Sequence, residues 1–361
     1  MNWQAGMPAD ALGPQLTLLK GGCESIMMTG LPTVSDEPYL AQQQADQLDT
    51  TRFAAARIAN NWWVASYSAL QIEETQLISE EQSHLPQELE TAQDDKQNDE
   101  ADLNLSPTLK TLVGIHSLAR GSGPGVLIHD LLEQCAKLGF SAVQTNPTLG
   151  LQLIQKGFAA SEWAHKQDII ASALSHWLSM PLLEGTDLSL AQLGVDAYQA
   201  EMEFMLGADG VDVQVLDRLV TRYTFAGQPR PSLLPRNVNG LLKGFIDLVF
   251  VHHQQYYVVD YKFNSLGNDA AAYTAEALEK AMLSKRYDLQ YSLYLLALHR
   301  LLKVRLGTHY DFDRHFGGGL YLFLRGSQGP TGGRLFTKPP RELIESLDKL
   351  FSASTIKGEM L

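Results

Sequence analysis

Two aspartates and a lysine stand in a spacing suited to metal chemistry. The segment is Gly244-Phe-Ile-Asp247-Leu-Val-Phe-Val-His-His-Gln-Gln-Tyr-Tyr-Val-Val-Asp260-Tyr-Lys262. Two apolar, β-branched and aromatic runs, 241–251 and 255–263, flank a short connection at His253-Gln254, which reads as a hairpin. A hairpin symmetric about that point sets Asp247 directly opposite Asp260. Directly opposed residues project to one face with Cβ atoms ~5 Å apart. Alternation brings Lys262 to the same face. Opposed like charges destabilise a sheet, and burial penalises ionised carboxylates. A hard divalent cation resolves the conflict. Mg²⁺ favours oxygen ligands and is held by one or two carboxylates, water and a substrate phosphate. Such an ion polarises a phosphate and acidifies a bound water, and Lys262 would orient that water or offset charge at phosphorus. The competing reading is a surface hairpin in which Asp260 and Lys262 form a simple ion pair. Phe245, Val249, Val251, Val258 and Val259 weigh against it, because strands this apolar are buried, where Asp and Lys are rarely unpaired.

Further acidic and imidazole groups are available. His129 falls in the first turns of a helix predicted over 126–138, after the Gly-rich stretch 121–125. A lone helical histidine is either a structural side chain or a ligand. Glu201 and Glu203 lie on an alternating stretch, 198–206, read as a strand with both on one face. Either is a site carboxylate or a solvent-facing one.

These residues need elements to hold them. Residues 150–180 read as helical, 270–305 as one long helical stretch, 317–325 as a strand and 339–352 as a helix beginning after Pro340. Helix, strand, hairpin, long helix and strand in that order describe a mixed α/β domain over 109–361. Ahead of it, the run Glu73–Asp102 carries eleven acidic residues, one lysine and no aromatics. Such a segment cannot bury enough apolar surface to offset its ordering entropy, so 71–108 is expected to be a disordered linker. Residues 1–70 are of mixed character.

The net charge of -13 is not spread evenly. Residues 1–109 hold 4 Lys/Arg against 17 Asp/Glu, whereas 110–361 hold 24 of each. The acidic total therefore says nothing against nucleic-acid binding by the later part, where local charge placement decides. Cys23 and Cys135 alone make neither a disulfide framework nor a cysteine-rich zinc site. There is no 18-residue apolar run and no secretory leader pattern, which points to a cytoplasmic protein without a membrane span.

The motifs resemble a known family. Gly-Phe-Ile-Asp-Leu-Val-Phe with Asp-Tyr-Lys, then Tyr287-Asp-Leu-Gln290-Tyr291-Ser-Leu-Tyr294, then His315-Phe-Gly-Gly-Gly-Leu-Tyr-Leu-Phe-Leu-Arg325-Gly326, resemble the C-terminal nuclease domain of the RecB family, the exonuclease V beta subunits of the PD-(D/E)xK superfamily. The likeness runs almost without gaps from about Gly240 to Gly326 and more loosely back to His129. It implies a restriction-endonuclease-like mixed sheet flanked by helices. It also implies a Mg²⁺-dependent DNA nuclease acting on single-stranded DNA in double-strand-break repair. By this resemblance His129, Asp247, Asp260 and the Tyr261 carbonyl are metal ligands and Lys262 is the catalytic lysine. Glu201 best fits the family's Glu-x-x-Phe acidic position, with Glu203 as the fallback. Gln290 and Tyr294 match its Gln-x-x-x-Tyr motif, directed toward DNA. The implied partners are RecC-like gamma and RecD-like alpha subunits and a RecA-like recombinase. Residues 61–70 resemble the segment that follows the family's motor core, so 1–70 are expected to be a helicase remnant. No G-x-x-x-x-G-K-[ST] occurs, so the chain is not expected to hydrolyse ATP or unwind DNA alone. A non-catalytic docking module is the alternative, though docking alone does not require Asp247, Asp260 and Lys262.

Overall fold

Strands buried on both faces read as continuous apolar runs rather than as alternating ones, and the central strands of this protein do so. The computed structural model describes residues 9–22, 27–30, 63–65, 70 and 112–352. The acidic stretch 71–108 and most of the expected motor remnant lie outside these residues. The chain divides into two compact units, Met1–Arg57 and Ile58–Leu361. The first contributes helix α1, Ala9–Lys20.

The second unit runs β1 (Trp63–Ala65), α2 (Ser122–Leu138), α3 (Phe140–Thr145), α4 (Pro147–Phe158), α5 (Gln167–Ser179), β2 (Tyr198–Asp212), α6 (Val213–Tyr223), β3 (Asn237–His252) and β4 (Gln255–Lys262). It continues with α7 (Ala275–Ser284), α8 (Tyr287–Leu306), β5 (Phe316–Phe323), β6 (Arg334–Thr337) and α9 (Arg341–Ser352), with short helical turns between. β3, β4, β5, α2 and α9 fall close to their expected places, β2 runs on past its expected end to Asp212, and β1 and β6 have no counterpart among the expected strands. The stretch expected to be helical over 150–180 is two helices. The one expected over 270–305 is also two, broken where Arg286 takes a left-handed conformation (φ 55°). The Gly-rich stretch at 121–125 is not a turn before α2 but its cap and first turn, with Gly121 at the N-cap (φ 105°).

The six strands among the described residues form one mixed sheet. β3 is its spine. One edge of β3 pairs antiparallel with β2 from Tyr198↔Phe250 to Asp212↔Asn237. The other edge is shared. β1 runs parallel to it at Gly240–Leu242, and β4 pairs antiparallel from Leu248↔Val259 to His252↔Gln255. Among the described residues, Lys243 to Asp247 have no strand partner on that edge. β4 continues parallel to β5, with Asp260 beside Tyr321 and Lys262 beside Phe323, and β5 pairs antiparallel with β6. His253 and Gln254 close the hairpin with φ of 47° and 67°, the double left-handed turn whose twist matches the strands.

Two apolar layers sandwich the sheet. Ile128, Leu132, Phe140, Phe158 and Trp177 of α2–α5 pack on Leu248, Val259, Tyr261 and Leu322. Leu289, Leu293 and Leu296 of α8, with Leu343 and Leu347 of α9, pack on Ile246, Val258 and Phe323. Helix α8 is buried around most of its circumference, as expected of a helix covered on several sides.

Regular alternation fails beside the two site carboxylates of β2 and β3. Ala200 and Leu248 pack with the α2–α5 layer, whereas Met202 and Ile246, two residues away on each strand, pack with the α8 layer. A regular strand keeps i and i+2 on one face. Between these pairs stand Glu201 and Asp247. Glu201 is left-handed (φ 48°), a conformation that costs a non-glycine residue roughly 1–3 kcal/mol. The kink aims Glu201 and Glu203 differently, so the expectation that both share one face does not describe the fold.

Candidate active site

Charge from four elements gathers where β3 and β4 part. The hairpin has the symmetric register, with Leu248↔Val259 as its last pair, so Asp247 and Asp260 follow at the point of divergence. In place of a further ladder bond, Asp247 Oδ2 accepts the Tyr261 N–H at 2.6 Å. The N–H and C=O of one strand residue lie on the same edge, so the Tyr261 carbonyl is also directed toward the β3 side. From α2, His129 Nδ1 lies 3.6 Å from the same Asp247 oxygen. Its ring meets Tyr261 edge-on at 6.0 Å.

Lys262 Nζ lies 2.9 Å from Asp260 Oδ2. That oxygen is sealed from solvent yet receives no well-directed hydrogen bond. The ammonium sits over the Tyr287 ring at 4.1 Å, with the Tyr321 ring at 5.8 Å. These two tyrosines were given no role by sequence reasoning. Their signal was their place, Tyr287 opening α8 and Tyr321 on the strand beside Asp260.

Gln290 and Tyr294, four residues apart on α8, are buried. Gln290 Nε2 donates to the Tyr294 hydroxyl at 2.9 Å, and the Tyr321 hydroxyl donates to Gln290 Oε1 at 3.1 Å. In this arrangement the polar groups of the motif are turned toward one another. Burial holds the Tyr294 hydroxyl far above its ordinary pKa, and the nearby Asp260 and Asp247 charges add to the effect.

Burial pushes both aspartates up to about 6. For Asp247 the Tyr261 N–H and the Lys262 charge oppose the shift, and for Asp260 Lys262 opposes it while Asp247 adds to it. Glu201 reaches about 8, again through burial first, then through Asp247 and through Glu133 and Asp130 of α2, with Lys137 opposing. Glu203 is elsewhere, exposed and paired with Lys243 at 2.8 Å. The structure thus brings together His129, Glu201, Asp247, Asp260, Tyr261 and Lys262, lays Gln290 and Tyr294 against them, and leaves Glu203 out.

The donors suit a hard divalent cation. The cations at hand, Lys262 for the two aspartates and Lys137 for Glu201, leave all three carboxylates shifted upward, so one more positive charge would relieve each of the shifts. Among the described residues, no three His, Cys, Asp or Glu side chains already converge at ligand distance. Asp247 is engaged with the Tyr261 N–H, and Lys262 stands at Asp260.

Comparison with known proteins covers the part of the chain that carries these residues. The PD-(D/E)XK nuclease superfamily matches residues 101–355. The RecBCD enzyme subunit RecB of Escherichia coli K12 is 35% identical over 363 residues, covering 98% of this chain and 28% of that protein. The RecB subunit of Haemophilus influenzae is 36% identical over 66% of this chain and 19% of its own length. That of Mycobacterium tuberculosis H37Rv is 32% identical over 67% of this chain and 25% of its own. The chain therefore spans roughly a quarter of the length of these relatives.

Proposed function

The chain belongs to the PD-(D/E)XK nuclease superfamily, and from that premise we propose that it hydrolyses DNA phosphodiesters with Mg²⁺ held at the β3–β4 divergence. The observation that carries this reading is the buried surplus of carboxylate around one lysine. Asp247, Asp260, His129 and the Tyr261 carbonyl would hold the ion, which when bound supplies Lewis acidity toward a phosphate. Lys262 places a positive charge beside Asp260, positioned by the Tyr287 ring, where it offsets negative charge that grows on the phosphate. Glu201 adds a third carboxylate beside Asp247. Gln290 and Tyr294 form the floor against which the DNA strand lies. Phosphate contacts make binding sequence-independent and salt-sensitive.

The named relatives are subunits of a RecBCD enzyme. On that likeness we assign this chain to such a helicase–nuclease, with RecC-like and RecD-like subunits delivering single-stranded DNA and a RecA-like recombinase as a further partner. Residues 109–361 are the nuclease domain in this reading, 71–108 its linker and 1–70 the end of the preceding region. The strand Trp63–Ala65 nevertheless pairs with β3, and Leu70 is buried in the same core as α8. The nuclease unit therefore draws on residues ahead of the linker. No helix among the described residues is long and apolar enough to cross a membrane.

The test is purified chain with Mg²⁺ and single-stranded DNA, with Asp260→Ala as control. Degradation by the wild type alone is the expected result. A folded, cation-binding chain that leaves DNA intact would instead favour the docking module.

A further inference from the structure

Arg325 is buried to 2% exposure immediately after β5. A guanidinium carries five donors in a fixed fork, and inside a protein each needs an acceptor. Arg325 Nε donates to the Phe263 carbonyl at 2.9 Å. Nη1 donates to the carbonyls of Ile115 at 3.4 Å and Leu118 at 3.3 Å, and Nη2 donates to that of Ala119. The guanidinium also lies 4.2 Å from the centre of the Phe263 ring.

These acceptors belong to two segments far apart in sequence. Phe263 directly follows Lys262 on the chain that leaves β4. Ile115, Leu118 and Ala119 form the turn that leads into α2, the helix bearing His129. One side chain therefore ties the helix of the imidazole to the strand of Asp260 and Lys262. Lesser ties run the same way. Arg120 Nη2 donates to Asn268 Oδ1 at 2.7 Å, the Tyr273 hydroxyl donates to the Asn264 carbonyl at 2.8 Å, and the Tyr273 and His116 rings meet at 5.9 Å. Gly326 is fixed by the same packing, since a Cβ there would lie 2.4 Å from the Tyr273 ring. Trp177 Nε1 donates to the Leu324 carbonyl at 3.0 Å and holds the turn itself.

The acceptors of Arg325 named above are all backbone carbonyls, none of them a site carboxylate. Its influence on the site is one of position. We propose that Arg325 is a positioning residue for the divalent-cation site, acting through His129 by locking the α2 entry turn onto the end of β4. This rests on the reading of His129, Asp247 and Asp260 as cation ligands. Outer residues that orient a ligand change metal affinity by about 10–100-fold when replaced. Lysine at 325 keeps the charge but cannot reach acceptors in both segments with a planar fork.

The experiment is a double-mutant cycle on the full chain, with Mn²⁺ affinity read by calorimetry. Its members are wild type, Arg325→Lys, His129→Ala and the double variant, with Asp260→Ala as the site control. Residues acting through a shared partner are non-additive, whereas independent ones add. The expected result is Mn²⁺ binding about tenfold weaker for Arg325→Lys in the wild-type background and less than about twofold weaker in the His129→Ala background. Equal weakening in both backgrounds, or none in the first, overturns the proposal. Where Arg325→Lys does not fold, Arg120→Ala removes the exposed tie to Asn268. A smaller loss of affinity that vanishes without His129 supports the same mechanism, and one that persists overturns it. A wild type that binds no Mn²⁺, or binds it as well after Asp260→Ala, overturns the underlying site and not merely the role of Arg325.

Discussion

Two clusters of buried charge meet the first turn of α8, and they are built on opposite plans. In one, Arg286 reaches Asp217 at 2.6 Å and Asp288 at 3.1 Å, and Arg230 reaches Asp288 at 2.8 Å. The remaining groups are also satisfied. Arg286 Nη1 donates to the Pro231 carbonyl at 2.7 Å, and Asp217 Oδ2 accepts the Leu233 N–H at 3.1 Å. Two guanidinium groups meet two carboxylates. Burial works against the Arg286 charge, yet Asp288 and Asp217 outweigh it and hold its pKa above the ordinary value. In the other cluster, Lys262 and His129 lie against Asp260 and Asp247, Lys137 offsets part of the Glu201 charge, and all three acids are still pushed upward. A cluster that serves the fold is saturated. One that serves chemistry keeps an unmet demand that a ligand can fill.

That contrast can be broken most forcefully by amide substitution. Asp260→Asn should lower DNA cleavage on the order of 10³-fold, the scale of losing one electrostatic contributor to a transition state. The same change should leave the ion-free protein at least as heat-stable as the wild type. Asp288→Asn should do the reverse, destabilising the fold by about 3–5 kcal/mol in denaturant melts because it strands buried arginines. Its folded fraction should still cut DNA. Equal destabilisation by both variants would erase the distinction.

The next effect is on pH and cation removal. Asp247 and Asp260 hold protons up to about pH 6 when folded, above their ordinary 3.8, and Glu201 up to about 8. The folded state therefore binds more protons than the unfolded one, and the ion-free protein loses stability as pH rises from about 4 through 6, and on toward 8 for Glu201. A divalent cation opposes that loss. Thermal melts should show stabilisation by Mg²⁺ that is greater at pH 7.5 than at pH 5, reaching about 2.7 kcal/mol at a hundred times the dissociation constant. Chelator should abolish it. Stabilisation that does not depend on pH would show that the carboxylates are not the site of action.

The smallest effect separates neighbours on β2. Glu203→Gln removes an exposed pair with Lys243, and cleavage assays and melts should move by no more than about 1 kcal/mol. Glu201→Gln should reduce cleavage and raise the stability of the ion-free protein above pH 5. Interchanged results would return Glu203 to the site.

Much of this site was written in local pattern. The β3–β4 register followed from two apolar runs around a two-residue turn, because a one-residue slip would reverse every side chain. His129 was legible only through family likeness, since the contact between α2 and β3 is non-local. The kink at Glu201 had no signal, because glutamate is an unusual choice for a left-handed residue. The break at Arg286 was hidden for a related reason: it is stabilised by Asp217, which lies on another helix. The edge strand β1 is three residues long, too short for periodicity to register, and its partner lies beyond the acidic stretch of the sequence.

The central claim is that one cation position lies between β3 and β4. Anomalous scattering from Mn²⁺ in crystals of the chain tests it most directly. The expected result is a peak within about 2.0–2.6 Å of carboxylate oxygens from both Asp247 and Asp260, with the His129 ring turned toward it. A peak that contacts neither aspartate, or Mn²⁺ bound only elsewhere on the protein, would contradict it.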